Sequence, residues 1–135
     1  MTVEMIYEGG FRTTATHVRS GTQIKTDAPV DNKGKGEYFS PTDLVAAGLG
    51  ACIITTMGMA ADTSGIDMDG AKVNVNKIMA SDPRRIARIE IDIYMPNKPF
   101  THKDKVILER ASKHCPVARS LSESLEEVVT VHWAS

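Results

Sequence analysis

The sequence predicts an α+β domain in which antiparallel sheet packs against one long helix and two shorter ones. Three observations predict it. Period-two alternation of apolar and polar residues marks the first 26 residues, residues 71–95 and the C-terminus. A long run of small and apolar residues, Leu44 to Ala61, interrupts that alternation. The order along the chain is strands, long helix, strands, helices, strand, with no internal repeat, low-complexity tract or interdomain linker. A chain of 135 residues is expected to form one domain, 1–135, large enough to bury a core.

At the N-terminus Val3, Met5 and Tyr7 alternate with Glu4 and Ile6, Gly9-Gly10 turns the chain, and Phe11, Thr13 and Ala15 resume the pattern. Ser20-Gly21 is a second turn before Gln23-Ile24-Lys25-Thr26. Residues 27–40, with Pro29, Asn32, Gly34 and Gly36, read as a polar loop. Ser40-Pro41-Thr42-Asp43 is a helix start: Ser40 caps, Pro41 fits the first helical position and Asp43 completes a capping box. The helix is expected to run to about Ser64, with Gly65 as its stop. Gly48, Gly50 and Gly58 each weaken it by about 1 kcal/mol relative to alanine, so close tertiary packing in the core or across a subunit interface must compensate.

Residues 71–79 and 86–95 read as an antiparallel strand pair joined through Ser81-Asp82-Pro83. In the second, Ile89, Ile91, Ile93 and Met95 face one way, and Arg88, Glu90, Asp92 and Tyr94 the other. Thr101 to Lys113 reads as a helix with a Thr101–Asp104 capping box. A further helix is predicted over Pro116–Glu127 from Val117, Leu121 and Leu125, then a closing strand, Val128 to Trp133.

Sixteen basic and 17 acidic residues give a net charge of −1, which offers no electrostatic case for nucleic acid or an anionic membrane as partner. Leu44 to Ala61 is marginal in length for a membrane span and holds three glycines, so a buried central helix is expected instead. Two cysteines exclude a disulfide-rich scaffold, and Met1-Thr2-Val3-Glu4-Met5 lacks signal-peptide character. A cytoplasmic location follows, where a transient catalytic disulfide is permitted.

The two cysteines lie 62 residues apart, Cys52 within Ala46–Ile54 and Cys115 within His114-Cys115-Pro116-Val117. Mid-helix, Cys52 gains little from the helix N-terminus, and it reads equally as a small core residue. Pro116 makes Cys115 the cap of the following helix, where free N–H groups favour a thiolate, so local chemistry nominates Cys115 as the more acidic thiol. The alternative there is a buried cap residue. Cys52 and Cys115 with two of His17, His102, His114 and His132 could form a zinc site only without any close ligand pair, so no metal and no cofactor is expected. No P-loop, Rossmann glycine pattern, HExxH or GxSxG is present.

The segment from Ser40 to Cys52 resembles the central helix of the OsmC/Ohr family, the osmotically inducible protein C-like and organic hydroperoxide resistance proteins. His114-Cys115-Pro116-Val117-Ala118 is similar to that family's second cysteine segment, and Tyr7-x-Gly9-x-Phe11 and Asp27-Ala28-Pro29 fit its pattern. The resemblance spans essentially the whole chain and implies an intertwined homodimer with sheets wrapped round two long central helices. It implies a cysteine-dependent reduction of organic hydroperoxides, in which Cys52 attacks the peroxide, Cys115 resolves the sulfenic acid and a dithiol reductant reopens the disulfide. That order reverses the local reading of the two thiols. The resemblance also implies an activating arginine, for which Arg12 and Arg19 are the candidates, with Arg12 preferred. The family's usual acid position is Thr42 here, and Asp43 is the neighbouring candidate for holding the arginine. Phe39, Leu44, Met57, Met59 and Phe100 would wall an apolar pocket. A non-catalytic small-molecule binding or structural protein is the alternative, resting on Thr42.

Overall fold

The structure is a computed structural model that describes residues 1–134. Its contacts divide it into two compact units, residues 1–45 and the remainder.

The first unit is a three-stranded antiparallel meander of β1 (Val3–Gly9), β2 (Arg12–His17) and β3 (Gln23–Asp27). The β1–β2 turn places Gly9, Gly10 and Phe11 in succession at positive φ. Two glycines adopt that conformation without strain, and Phe11 is held there by its neighbours. Its N–H donates to the Tyr7 hydroxyl at 3.3 Å, and its carbonyl accepts from the Ala28 N–H at 3.1 Å. The predicted loop after β3 carries a single 3-10 turn, Val30–Asn32, and returns Phe39 alongside Thr26. The sheet is thin. Ala15, Thr26 and Asp27 are buried, whereas Met5, Ile6, Tyr7, Ile24 and Phe39 stay exposed.

Helix α1 (Pro41–Thr63) starts as the sequence predicts. The Asp43 N–H donates to Ser40 Oγ and the Ser40 N–H to Asp43 Oδ2, each at 3.0 Å. It ends before Gly65, whose φ of 67° suits a glycine stop.

In the second unit Ala46, Leu49, Gly50, Ile53, Met57 and Ala61 of α1 are buried at helical spacing. They join the core with β4 (Lys72–Ala80), β5 (Arg85–Tyr94) and β6 (Glu126–His132), whose Ile89, Ile91 and Ile93 are sealed from solvent. Each such side chain contributes about 1.5–3 kcal/mol. The close approach that the glycines imply is found at Gly50, where an added Cβ would lie 2.8 Å from Val75 Cγ2. At Gly48 and Gly58 an added Cβ would meet nothing within 4 Å.

Two predicted features change. The β4–β5 pair is antiparallel, but β6 pairs with β5 in parallel. The chain between them carries α2 (His102–Ala111) and α3 (Pro116–Ser120), and a crossover of that length is what a parallel neighbour requires. The helix predicted over Pro116–Glu127 stops at Ser120, and Leu121 is extended. Ser122 Oγ accepts from the Ser124 N–H at 3.2 Å, a local bond that competes with the helix. Leu121 and Leu125 still pack against the core, now from a turn.

Candidate functional site

Both thiols belong to the second unit. Cys52 lies one turn of α1 after Gly48, half-buried, with its carbonyl accepting from Thr56 Oγ1 at 2.8 Å. Cys115 is the N-cap of α3 and only 1% exposed. Its backbone is extended, and its sulfur accepts from the Ala118 N–H at 3.3 Å. Cys52 packs against the core that contains Cys115 and acts on its thiol, and no disulfide joins them.

Burial pushes the Cys115 thiol up, and the bond from Ala118 pulls the other way without prevailing. Cys52 and Glu127 add to the upward shift. The sequence-based expectation that the helix cap makes Cys115 the more acidic thiol is therefore corrected. A single long N–H···S bond does not offset desolvation of the anion. An open cavity of about 300 Å³ adjoins Cys115, lined by His114, Pro116 and Arg119. His114 Nδ1 and Arg119 Nη2 stand 3.4 Å apart there.

Glu127 was missed from sequence, where it reads as the end of a surface helix. It is instead the register partner of Ile89 on β6. Partners in adjacent strands share a sheet face, and Ile89 belongs to the face that meets the core. The residue as a whole is exposed, yet loss of hydration on its inner side raises its carboxyl above the usual range.

In the first unit Arg12 is fixed by two acids that sequence reasoning did not nominate. Its Nε and Nη2 donate to the two Asp27 oxygens at 2.7 and 2.8 Å, and Nη2 also donates to Glu37 Oε1 at 3.0 Å. The guanidinium carbon lies 4.8 Å from the Tyr38 ring centroid, a cation–π distance. Asp27, 1% exposed, faces Arg12 across the β2–β3 register and takes the Glu37 N–H at 3.0 Å. The Arg12 bond holds the Asp27 carboxyl well below its ordinary value, and Asp27 in turn raises Arg12, which stays cationic.

Arg19 is exposed in the β2–β3 turn, past the far end of β2 from Arg12. Asp43 is engaged in the α1 cap, and the carboxylates observed on Arg12 are Asp27 and Glu37. Of the expected pocket wall, Met57 is fully buried core, Phe39 and Met59 are exposed, and Phe100 packs edge-on against Trp133 at 5.2 Å. Among the described residues no group of three His, Cys, Asp or Glu side chains could hold a metal ion.

A family model described as OsmC-like protein matches residues 34–128. A solved structure from Psychrobacter arcticus, provisionally named an osmotic stress induced and detoxification response protein, is 42% identical. It aligns over 98% of this chain and 96% of its own with a TM-score of 0.92. An OsmC-like protein from Mycoplasma pneumoniae is 20% identical, with 98% and 96% coverage and a TM-score of 0.81. An organic hydroperoxide resistance protein from Legionella pneumophila is 15% identical, with 97% and 96% coverage and a TM-score of 0.75, a likeness of fold. No curated relative matches the chain.

Proposed function

We propose, from the premise that this chain belongs to the family of OsmC-like proteins, that it reduces organic hydroperoxides with Cys52 and Cys115. The observation that carries the reading is the pair of free thiols, one half-buried and one buried, gathered on the same core. The name of the Legionella pneumophila relative, an organic hydroperoxide resistance protein, points the same way.

In the proposed cycle the Cys52 thiolate attacks the distal peroxide oxygen. The O–O bond breaks, an alcohol leaves with a proton, and Cys52 becomes a sulfenic acid. Cys115 then attacks that sulfur. The S–S bond forms, the S–O bond breaks, and the Cys115 proton leaves with hydroxide as water. A dithiol reductant reopens the disulfide by exchange. Arg12 is the proposed source of positive charge for the peroxidatic thiolate, supported by the way Asp27 and Glu37 fix its guanidinium beside the Tyr38 ring. Arg19 is the alternative source of that charge, and Asp43 the alternative acid. A homodimer is part of the proposal, supported by apolar residues such as Ile6, Tyr7 and Met59 that one chain leaves exposed.

Stoichiometric tert-butyl hydroperoxide should consume both thiols and yield a Cys52–Cys115 disulfide by peptide mass spectrometry. Cys52→Ser should abolish peroxide consumption, and Cys115→Ser should trap a sulfenic acid at Cys52. Two free thiols after the challenge would overturn the reading.

A further inference from the structure

We infer that the open cavity beside Cys115 is the docking site of the reductant, a dithiol bearing a carboxylate that Arg119 and His114 receive. The inference rests on the peroxidase reading for its place in the cycle, and the test of carboxylate recognition needs no peroxide.

Four residues of one short segment, His114, Cys115, Pro116 and Arg119, line this cavity of about 300 Å³. Helix α3 places Arg119 one turn after Cys115, its N–H donating to the Cys115 carbonyl at 3.3 Å. The Arg119 side chain is exposed, and its Nη2 meets His114 Nδ1 at 3.4 Å. A guanidinium only donates, so Nδ1 accepts and Nε2 is left to carry the ring proton. Among the described residues no carboxylate pairs with Arg119. Arg12 and Arg88, in contrast, each meet two acids. The cavity therefore presents N–H donors and an unmatched positive charge beside a cysteine. A planar guanidinium fork matches a carboxylate in shape and charge. An alkyl hydroperoxide carries no charge for Arg119 to meet, and in the proposed cycle it reacts at Cys52. The reactant that must reach the disulfide from outside afterwards is the reductant.

In this step the reductant's first thiol loses its proton to solvent and its sulfur attacks the Cys115 sulfur of the disulfide. A new S–S bond forms between reductant and Cys115. The Cys52–Cys115 bond breaks, and Cys52 leaves with the electron pair as a thiolate. The reductant's second sulfur then attacks its first, which closes the reductant's own disulfide and releases Cys115 with the electron pair. Cys115 takes up the proton that the second thiol gives. Two electrons pass from the reductant to the protein. Burial pushes the Cys115 thiol up, and a thiol so raised is a poor leaving group. Attack at Cys115 with departure of Cys52 agrees with that chemistry and with the side from which the cavity opens.

The test uses the full chain in a Cys52→Ser background, where Cys115 alone reacts. Two disulfide probes are compared: dithiobis(nitrobenzoate), with a carboxylate on each ring, and dithiodipyridine, which is neutral. Arg119→Gln should slow the carboxylate probe about three- to fivefold relative to the neutral one, the size of an exposed charge pair. The ratio of the two rates cancels any change in the thiolate fraction of Cys115. Arg119→Lys keeps the charge and should hold the ratio within twofold of the parent. Salt at about 0.5 M should erase the parent's preference. An unchanged ratio in Arg119→Gln, whether both rates fall or neither does, would overturn the proposal, as would failure of Cys115 to react with either probe. Circular dichroism of each variant separates a charge effect from unfolding. The direction of attack is read in the oxidised parent chain, mixed with thioglycolate, quenched in acid and mapped by peptide mass spectrometry. The adduct should sit on Cys115, and an adduct on Cys52 would overturn the assigned step. A protein that consumes no tert-butyl hydroperoxide yet loses the probe preference in Arg119→Gln would overturn the peroxidase reading and leave the carboxylate site standing. Turnover without a probe preference would overturn the carboxylate site alone.

Discussion

At the scale of single residues the structure is governed by how each charge is met. Asp27 is buried to 1% and Arg12 grips both its oxygens, so its carboxyl titrates below the usual range. A depressed folded value stabilises above the unfolded value, about 3.9, and that stability is lost as pH falls through the folded value. The hairpin of the first unit should therefore keep its fold to below about pH 4, followed by tyrosine fluorescence during acid titration. Asp27→Asn should lower the denaturant midpoint at pH 7 and flatten its dependence on pH in the acid range. Arg12→Lys keeps a charge but forfeits the two-point grip. Under the proposed function it should lower peroxide consumption about a hundredfold, the size of effect seen when one preorganised donor is removed.

At the scale of elements, α1 is the member on which the second unit depends. Its small residues are of two kinds, and the sequence does not distinguish them. Gly50 lies against the sheet, where an added Cβ would approach Val75 Cγ2 to 2.8 Å. Gly50→Val should cost about 1–3 kcal/mol by overpacking, measured by urea unfolding. Gly58, with open space at its Cβ position, is limited by backbone freedom alone. Gly58→Ala should raise stability by about 0.5–1 kcal/mol. A loss at Gly58 similar to that at Gly50 would mean that a partner covers this part of the helix.

At the scale of the whole molecule, the apolar residues left uncovered are the informative ones. Ile6 and Met59 are each 66% exposed, and Met5, Tyr7, Phe11 and Phe39 are more than half exposed. Helix α1 is long and apolar enough to cross a membrane, yet Leu49, Ile53 and Met57 are already committed to the core of the second unit. Under the proposed homodimer, sedimentation of the parent protein should give twice the chain mass of 14.7 kDa. Met59→Arg should shift it toward the monomer, because the change sets a charge in a surface that association would desolvate. A parent that sediments as a monomer would remove the dimer from the proposal.

What the sequence determined by itself is whatever depends on neighbours in the chain. The strands follow from alternation, α1 from Ser40, Asp43 and Gly65, and α2 from the Thr101–Asp104 box, observed with both of its bonds. The cap role of Cys115 was legible for the same reason, since Pro116 leaves little else for that position. Tertiary structure decided everything that depends on distant partners. The parallel pairing of β6 is set by the crossover and not by β6's own residues. The fate of Leu121 and Leu125 was ambiguous because four-residue spacing fits a short helix and a turn packed on the same core equally well. Burial pushed the Cys115 thiol up against the pull of its cap. Register decided that Asp27 would stand opposite Arg12, and that Glu127 would be the partner of Ile89 while Glu126 is that of Arg88. Desolvation and charge pairing act through space, and one residue's spacing along the chain carries no measure of either.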